Sequence, residues 1–298
     1  MSAYSRYNYK GSNINSYGME ENGDTKPPEV GKKNKDHPPR NDTNLIVDML
    51  VGGGGNMDNK PQLVTVDADT LVAQTQARMW KALKRGYHYG TNLKSAQSFL
   101  QSHVNSKVPL VIIYVDLVGS TNMSMTLPVD KLVSIIRTFT YEMSSIIQNH
   151  EGYVLKYVGD AILSFFPSGY NKLLACDNVV YCAQSMIRVV RDGINPILNQ
   201  YDYPELSIKI GIDEGENVIV QYGHDKDSPI DILGYCMSIA AKITSITDPN
   251  RITIGEDVYE ALHPALRTKF RDAKYHTDDW KYTNRQTGEV YKLYLMEY

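Results

Sequence analysis

The chain has 298 residues, 42% of them hydrophobic, and a formal net charge of −3. There is ample apolar material for a sizeable core, and the near-neutral charge argues against broad binding to nucleic acid or an anionic membrane surface. Cys176, Cys182 and Cys236 are odd in number and hold no Cys-x-x-Cys pair, which argues against a disulfide framework and a zinc site.

The histidines are scattered, with no metal-ligand spacing among them. No continuous run approaches the roughly 18 apolar residues of a membrane span, and the start, Met-Ser-Ala-Tyr-Ser-Arg, has no apolar h-region. The expectation is a cytoplasmic protein with no integral membrane segment and no nucleic-acid partner.

In chain order, residues 1–60 are rich in Asn, Gly, Lys, Pro and Asp and end near Gly52–Gly55. Such a stretch buries too little apolar surface to offset its ordering entropy, so a disordered tail is expected. Residues 61–107 read as a helical segment, a possible dimerisation or regulatory element. One stripe runs through Val72, Met79, Trp80 and Leu83 and a second through Leu93, Ala96, Phe99, Leu100 and Val104, with Gly86 and Gly90 between them. Arg78, Lys81, Lys84 and Arg85 are expected on a solvated face.

From residue 108 to 298, strands and helices alternate. Leu110–Val115 is a continuous apolar strand ending in Asp116, and Gly119-Ser120-Thr121 then reads as a turn into a helix whose free N–H groups suit phosphate. Asp130–Gln148 shows a helical apolar face. Tyr153–Val158 and Ala161–Phe166 read as a hairpin turning on Gly159-Asp160, and Leu173–Val190 as a second helix. Leu206–Ile212 and Val218–Tyr222 are expected as strands on either side of Glu214-Gly215-Glu216. A helix over Cys236–Ile246, a short strand at Ile252–Ile254 and a closing hairpin over 279–297 complete the pattern.

Strand–helix–strand–strand–helix–strand is the ferredoxin-like plan, an α+β fold with helices covering an antiparallel sheet. That plan sets the first strand beside the hairpin formed by the second and third strands, so Asp116 and Asp160 are expected side by side. Two carboxylates on rigid strand ends could hold a pair of Mg²⁺ ions, which bind oxygen and clamp triphosphates.

The chain resembles the class III nucleotidyl cyclases over about residues 108–297. Four segments carry the resemblance: Val-Asp116-Leu-Val-Gly-Ser-Thr, Leu-Lys156-Tyr-Val-Gly-Asp160-Ala, Ile-Lys209-Ile-Gly-Ile-Asp-Glu-Gly215 and Asp231-Ile-Leu-Gly234-Tyr-Cys-Met-Ser238-Ile-Ala-Ala-Lys242. The resemblance implies that Asp116 and Asp160 bind two ions per site, Mg²⁺ or Mn²⁺. It implies that Lys156 and Asp231 read the base, in a pairing that favours ATP, and that two copies of the chain form head-to-tail sites.

Some positions depart from the family. Ser238 and Lys242 stand where an asparagine and an arginine usually handle the transition state, and Lys209 replaces a usual arginine. Lysine keeps the charge but loses the planar fork. Lys281, with Arg285 nearby, is the candidate for the terminal phosphates. The reading is a homodimeric adenylate cyclase making 3′,5′-cyclic AMP and pyrophosphate. The alternatives are a catalytically weakened nucleotide-binding module, or a cyclase for GTP or a pyrimidine triphosphate.

Overall fold

The computed structural model describes residues 67–85, 93–225, 227–274 and 280–296. The expected tail, and Gly86 and Gly90 between the two helical stripes, lie outside the described residues. Helix α1 (Ala68–Arg85) and helix α2 (Lys94–Ser102) precede the sheet. The core then runs β1 (Lys107–Leu117), α3 (Ser120–Thr126), α4 (Val129–Asn149), β2 (Tyr153–Val158), β3 (Ala161–Pro167) and α5 (Lys172–Arg188). A π-helical turn, Val189–Ile194, leads from α5 into α6 (Asn195–Asn199) and on to β4 (Ile208–Gln221). The remaining elements are β5 (Ile230–Gly234), α7 (Tyr235–Ile246), β6 (Arg251–Gly255), α8 (Glu256–Ala261), α9 (Pro264–Arg267), β7 (Phe270–Asp272) and β8 (Leu293–Met296).

The strands lie in the order β2-β3-β1-β4-β6-β8-β7, with β5 also paired to β4. The first four are mutually antiparallel, as the ferredoxin-like plan requires, and β4–β6 is the parallel addition. Alternation along β1 sorts the core. Val111, Ile113 and Val115 join a cluster beneath α4 and α5, whereas Leu110 and Ile112 join a second cluster on the other face. Helix α4 brings Ile135, Phe139, Met143, Ile146 and Ile147 to the first cluster, each worth about 1.5–3 kcal/mol of burial. Lys172–Asn199 is long and apolar enough by composition to cross a bilayer, but many of its apolar side chains belong to this core.

Three readings need correction. Glu214-Gly215-Glu216 is no turn: β4 runs unbroken, because Gly215 pairs with Leu110 and Glu214 is buried. Glu214 accepts from the Ser168 hydroxyl at 2.9 Å and pairs with Lys172 at 2.5 Å, so polar partners keep an acid inside a strand. The closing segment is not a simple hairpin. A bridge joins Thr283 to Val290, but β8 pairs with β6 and β7. Arg78 is not merely solvated, because it forms an ion pair at 2.5 Å with Glu142, whose side chain is 1% exposed and also accepts from Thr75. Both α1 and α2 pack against the sheet domain of their own chain.

Candidate active site

The first group of site residues gathers at the end of β1. Asp116 ends the apolar run, and Gly119 follows with φ 74°, a left-handed turn that suits glycine. Ser120 then opens α3. Across the sheet, Val158 pairs with Ala161, leaving Gly159-Asp160 as a two-residue turn with Gly159 at φ 65°. Because β3 lies beside β1, that turn falls next to Asp116, as expected.

The electrostatics of this corner are unbalanced. Burial raises the Asp116 carboxyl above its ordinary range, and the neighbouring Asp160 charge raises it further. Lys209, its cross-strand partner, and the Leu117 N–H pull the other way. Asp160 Oδ2 is buried with no hydrogen-bond partner, and a bare buried carboxylate oxygen is costly. Two close carboxylates, one carrying an orphaned oxygen, are chemically suited to a hard divalent cation. Among the described residues no third His, Cys, Asp or Glu joins them. A cation held by these two would complete its shell with oxygens of water or a ligand.

The second group is Lys156 and Asp231. Lys156 follows a register shift in β2, and Asp231 lies near the start of β5. Their side chains, 42% and 25% exposed, meet at 2.5 Å, and Asp231 Oδ1 also accepts the Ile232 N–H at 2.9 Å. Here each charge already has its partner.

Tyr114 feels the charges of Asp116, Asp160 and Lys156, and sequence reasoning missed it. It lies two residues before Asp116, so strand alternation sets both on one face. Burial raises its half-buried hydroxyl, as do the Asp116 and Asp160 carboxylates, whereas Lys156 lowers it. That period-two relation was the signal available.

The third group faces outward. Ser238 and Lys242 are exposed and one turn apart on α7. The helix is seated on Gly211, where a Cβ would stand 2.3 Å from Thr244 Oγ1 and 2.6 Å from the Ala240 carbonyl oxygen. Lys281 is exposed beside buried Trp280, which donates to the Tyr291 carbonyl at 2.7 Å. Arg285 lies over the Tyr235 ring at 4.1 Å. The described residues show no hydrogen bond or ion pair joining Ser238, Lys242 or Lys281 to Asp116 or Asp160. All three cysteines are buried and free, and burial raises their thiols, so no disulfide or thiolate chemistry arises.

The family model for the adenylate and guanylate cyclase catalytic domain matches residues 103–293. A cytidylate cyclase of Escherichia coli is 23% identical over 200 residues, covering 63% of this chain and 43% of that protein. The chain thus spans less than half of that relative's length. A uridylate cyclase of Burkholderia cepacia is 28% identical over 61% of this chain and 81% of its own. Among solved structures, the adenylyl cyclase CyaB from P. aeruginosa superposes with a TM-score of 0.55 at 18% identity, over 65% of this chain and 95% of that one; at that identity the likeness concerns the fold. With the motif-bearing elements and the family match in agreement, the chain belongs to the adenylate and guanylate cyclase catalytic domain family.

Proposed function

We propose that the chain is a nucleotidyl cyclase working as a head-to-tail homodimer, in which Asp116 and Asp160 of one copy face Lys156 and Asp231 of the other. The observation that carries this is the unbalanced acid pair, with Asp160 Oδ2 buried and unpartnered. In the reaction the ribose 3′-oxygen loses its proton and bonds to the α-phosphorus, while the α-phosphorus–oxygen bond to the β-phosphate breaks and pyrophosphate leaves.

Divalent metal, two ions in the family's pattern and either Mg²⁺ or Mn²⁺, would supply positive charge to the attacking oxygen and the phosphates. Asp116 and Asp160 would hold it, and the turn at Gly119, Ser120 and Thr121 would steady phosphate. Lys209 would favour the ionised form of Asp116, partly offsetting burial and the Asp160 charge. Ser238 and Lys242 reach a partner's nucleotide from the exposed face of α7, with Lys281 on the terminal phosphates. Lys242 offers charge without a bidentate fork, which slows turnover. Support for a second copy comes from β4–β5, where exposed Val218 pairs with exposed Leu233 two residues from Asp231.

Lysine as donor and aspartate as acceptor complement a base with an acceptor nitrogen beside an amino group. Adenine and cytosine both present that edge; guanine and uracil present the reverse polarity. Size then separates the two. Tyr114, whose hydroxyl feels the Lys156 charge, would take up space beside a bound base, which would favour the smaller one. Relatives named as cytidylate cyclases agree. CTP, giving cyclic CMP, is therefore the first reading, and ATP is the second on the strength of the Lys156–Asp231 pair alone.

The test is to give the purified protein ATP, GTP, CTP and UTP separately with Mn²⁺ and to resolve the products by chromatography. Cyclic CMP is expected in excess. Best use of ATP would restore the adenylate reading, and no cyclic product from any nucleotide would leave only a nucleotide-binding module.

A further inference from the structure

The Lys156–Asp231 pair joins two strands that are not neighbours in the sheet. From β2, the hydrogen-bonded path to β5 passes through β3, β1 and β4. Four strand steps would hold flat strands roughly 19 Å apart, yet the two side chains meet at 2.5 Å. The sheet must therefore curl, bringing β2 and β5 towards each other, and backbone pairing alone does not fix how far.

Helix α2 lies in that curl. It packs against both β2 and β5 and precedes the segment matched by the family model, which begins at residue 103. Its Leu100 is fully buried, in one cluster with Leu155 and Ile232. Leu155 directly precedes Lys156, and the β2 register shifts across it, between Val154 and Lys156. Ile232 directly follows Asp231. Phe99 completes the contact, its ring 5.3 Å from Tyr153 and 5.4 Å from Phe165, which stack on each other. Just beyond α2, the backbone is tied to β4: the Asn105 N–H donates to the Ile219 carbonyl at 2.8 Å, and the Ile219 N–H donates to the Ser106 carbonyl at 3.1 Å.

We propose that Leu100, supported by Phe99, is a positioning residue for base recognition: from behind the sheet it sets the separation of Lys156 and Asp231. This rests on the reading of that pair as the base site. The metal corner has a different footing, on the β1 end and the Gly159-Asp160 turn, whereas the main contacts of α2 are with β2 and β5. A close-packed interior transmits the loss of a few methyl groups as a shift of the neighbouring backbone. A displacement of α2 would thus act first on which base is held, before it acts on phosphate chemistry.

The experiment compares wild type with Leu100→Ala and the volume-conserving Leu100→Met. Binding of the non-cyclisable methylene analogues of CTP and ATP is titrated calorimetrically, alongside the half-saturating Mn²⁺ concentration for turnover. Leu100→Ala is expected to weaken the preferred analogue about tenfold and to shrink the ratio between the two analogues, with Mn²⁺ dependence unchanged and Leu100→Met close to wild type. An unchanged ratio in a folded Leu100→Ala protein would overturn the proposal. If Leu100→Ala fails to fold, Phe99→Leu takes its place under the same criterion. The binding readout needs no turnover, so a wild type that binds but makes no cyclic product contradicts the cyclase reading and leaves this proposal standing. A wild type that binds neither analogue overturns both.

Discussion

The two ends of the site differ in what they lack. At the Asp116–Asp160 end, acids crowd one another and a buried carboxylate oxygen has no partner. At the Lys156–Asp231 end, opposite charges already meet at 2.5 Å. The first end is stabilised by acquiring something positive, and the second must be opened before it can hold anything. Chemistry and selectivity are thereby separated. In the proposed reaction the strained end would be where charge is stabilised, and the satisfied end would make a wrong base costly, because displacing an ion pair without replacing its hydrogen bonds leaves both partners unmet.

The contrast can be broken most severely by removing one charge at each end. Asp160→Asn should lower kcat by about 10³ or more under saturating nucleotide, since the positive charge that offsets the transition state loses its holder. Lys156→Glu should lower kcat/KM for the preferred nucleotide by about 10², with the loss mainly in KM and with Mn²⁺ dependence retained. Equal losses of kcat in both variants would erase the distinction. Steady-state kinetics with varied nucleotide and varied Mn²⁺ reads both arms.

A smaller effect sharpens the same contrast. The folded-state value of Asp116 lies above its unfolded value, so the folded protein binds the proton more tightly, and stability is lost as pH rises through the folded value. Asp116→Asn should therefore raise the metal-free melting temperature at pH 7.5 by about 1–3 °C, while abolishing the further rise that Mn²⁺ gives the wild type. Activity should fall as pH drops towards the raised Asp116 value, because protons then compete with metal. Thermal melts with and without Mn²⁺ check the stability arm, and a pH–rate profile checks the activity arm.

Much of this was legible in the sequence where local chemistry and global fold agree. The apolar run into Asp116 and the Gly-Asp turn at 159–160 each declared their element, and sheet order then brought the acids together. Lys156 and Asp231 were paired as base-reading positions by the family pattern alone, and their direct ion pair was not foreseen, since curvature across four strands leaves no local trace. Tertiary partners overrode local signals elsewhere. Glu214-Gly215-Glu216 looked like a turn, but Ser168 and Lys172 satisfy Glu214 inside β4. Arg78 looked like one of several surface cations, and nothing near it in sequence announces Glu142. Tyr114 was hidden by its aromatic bulk, which fits a core strand as well as a pocket wall.

The central claim is that one catalytic site takes its acids from one copy and its base-reading pair from another. Mixing the inactive variants Asp116→Ala and Lys156→Ala, with time for subunits to exchange, tests it directly. A head-to-tail dimer leaves one intact site in each mixed pair, so an equimolar mixture should recover about a quarter of wild-type activity per site. A mixture no more active than the two variants assayed apart would contradict the account.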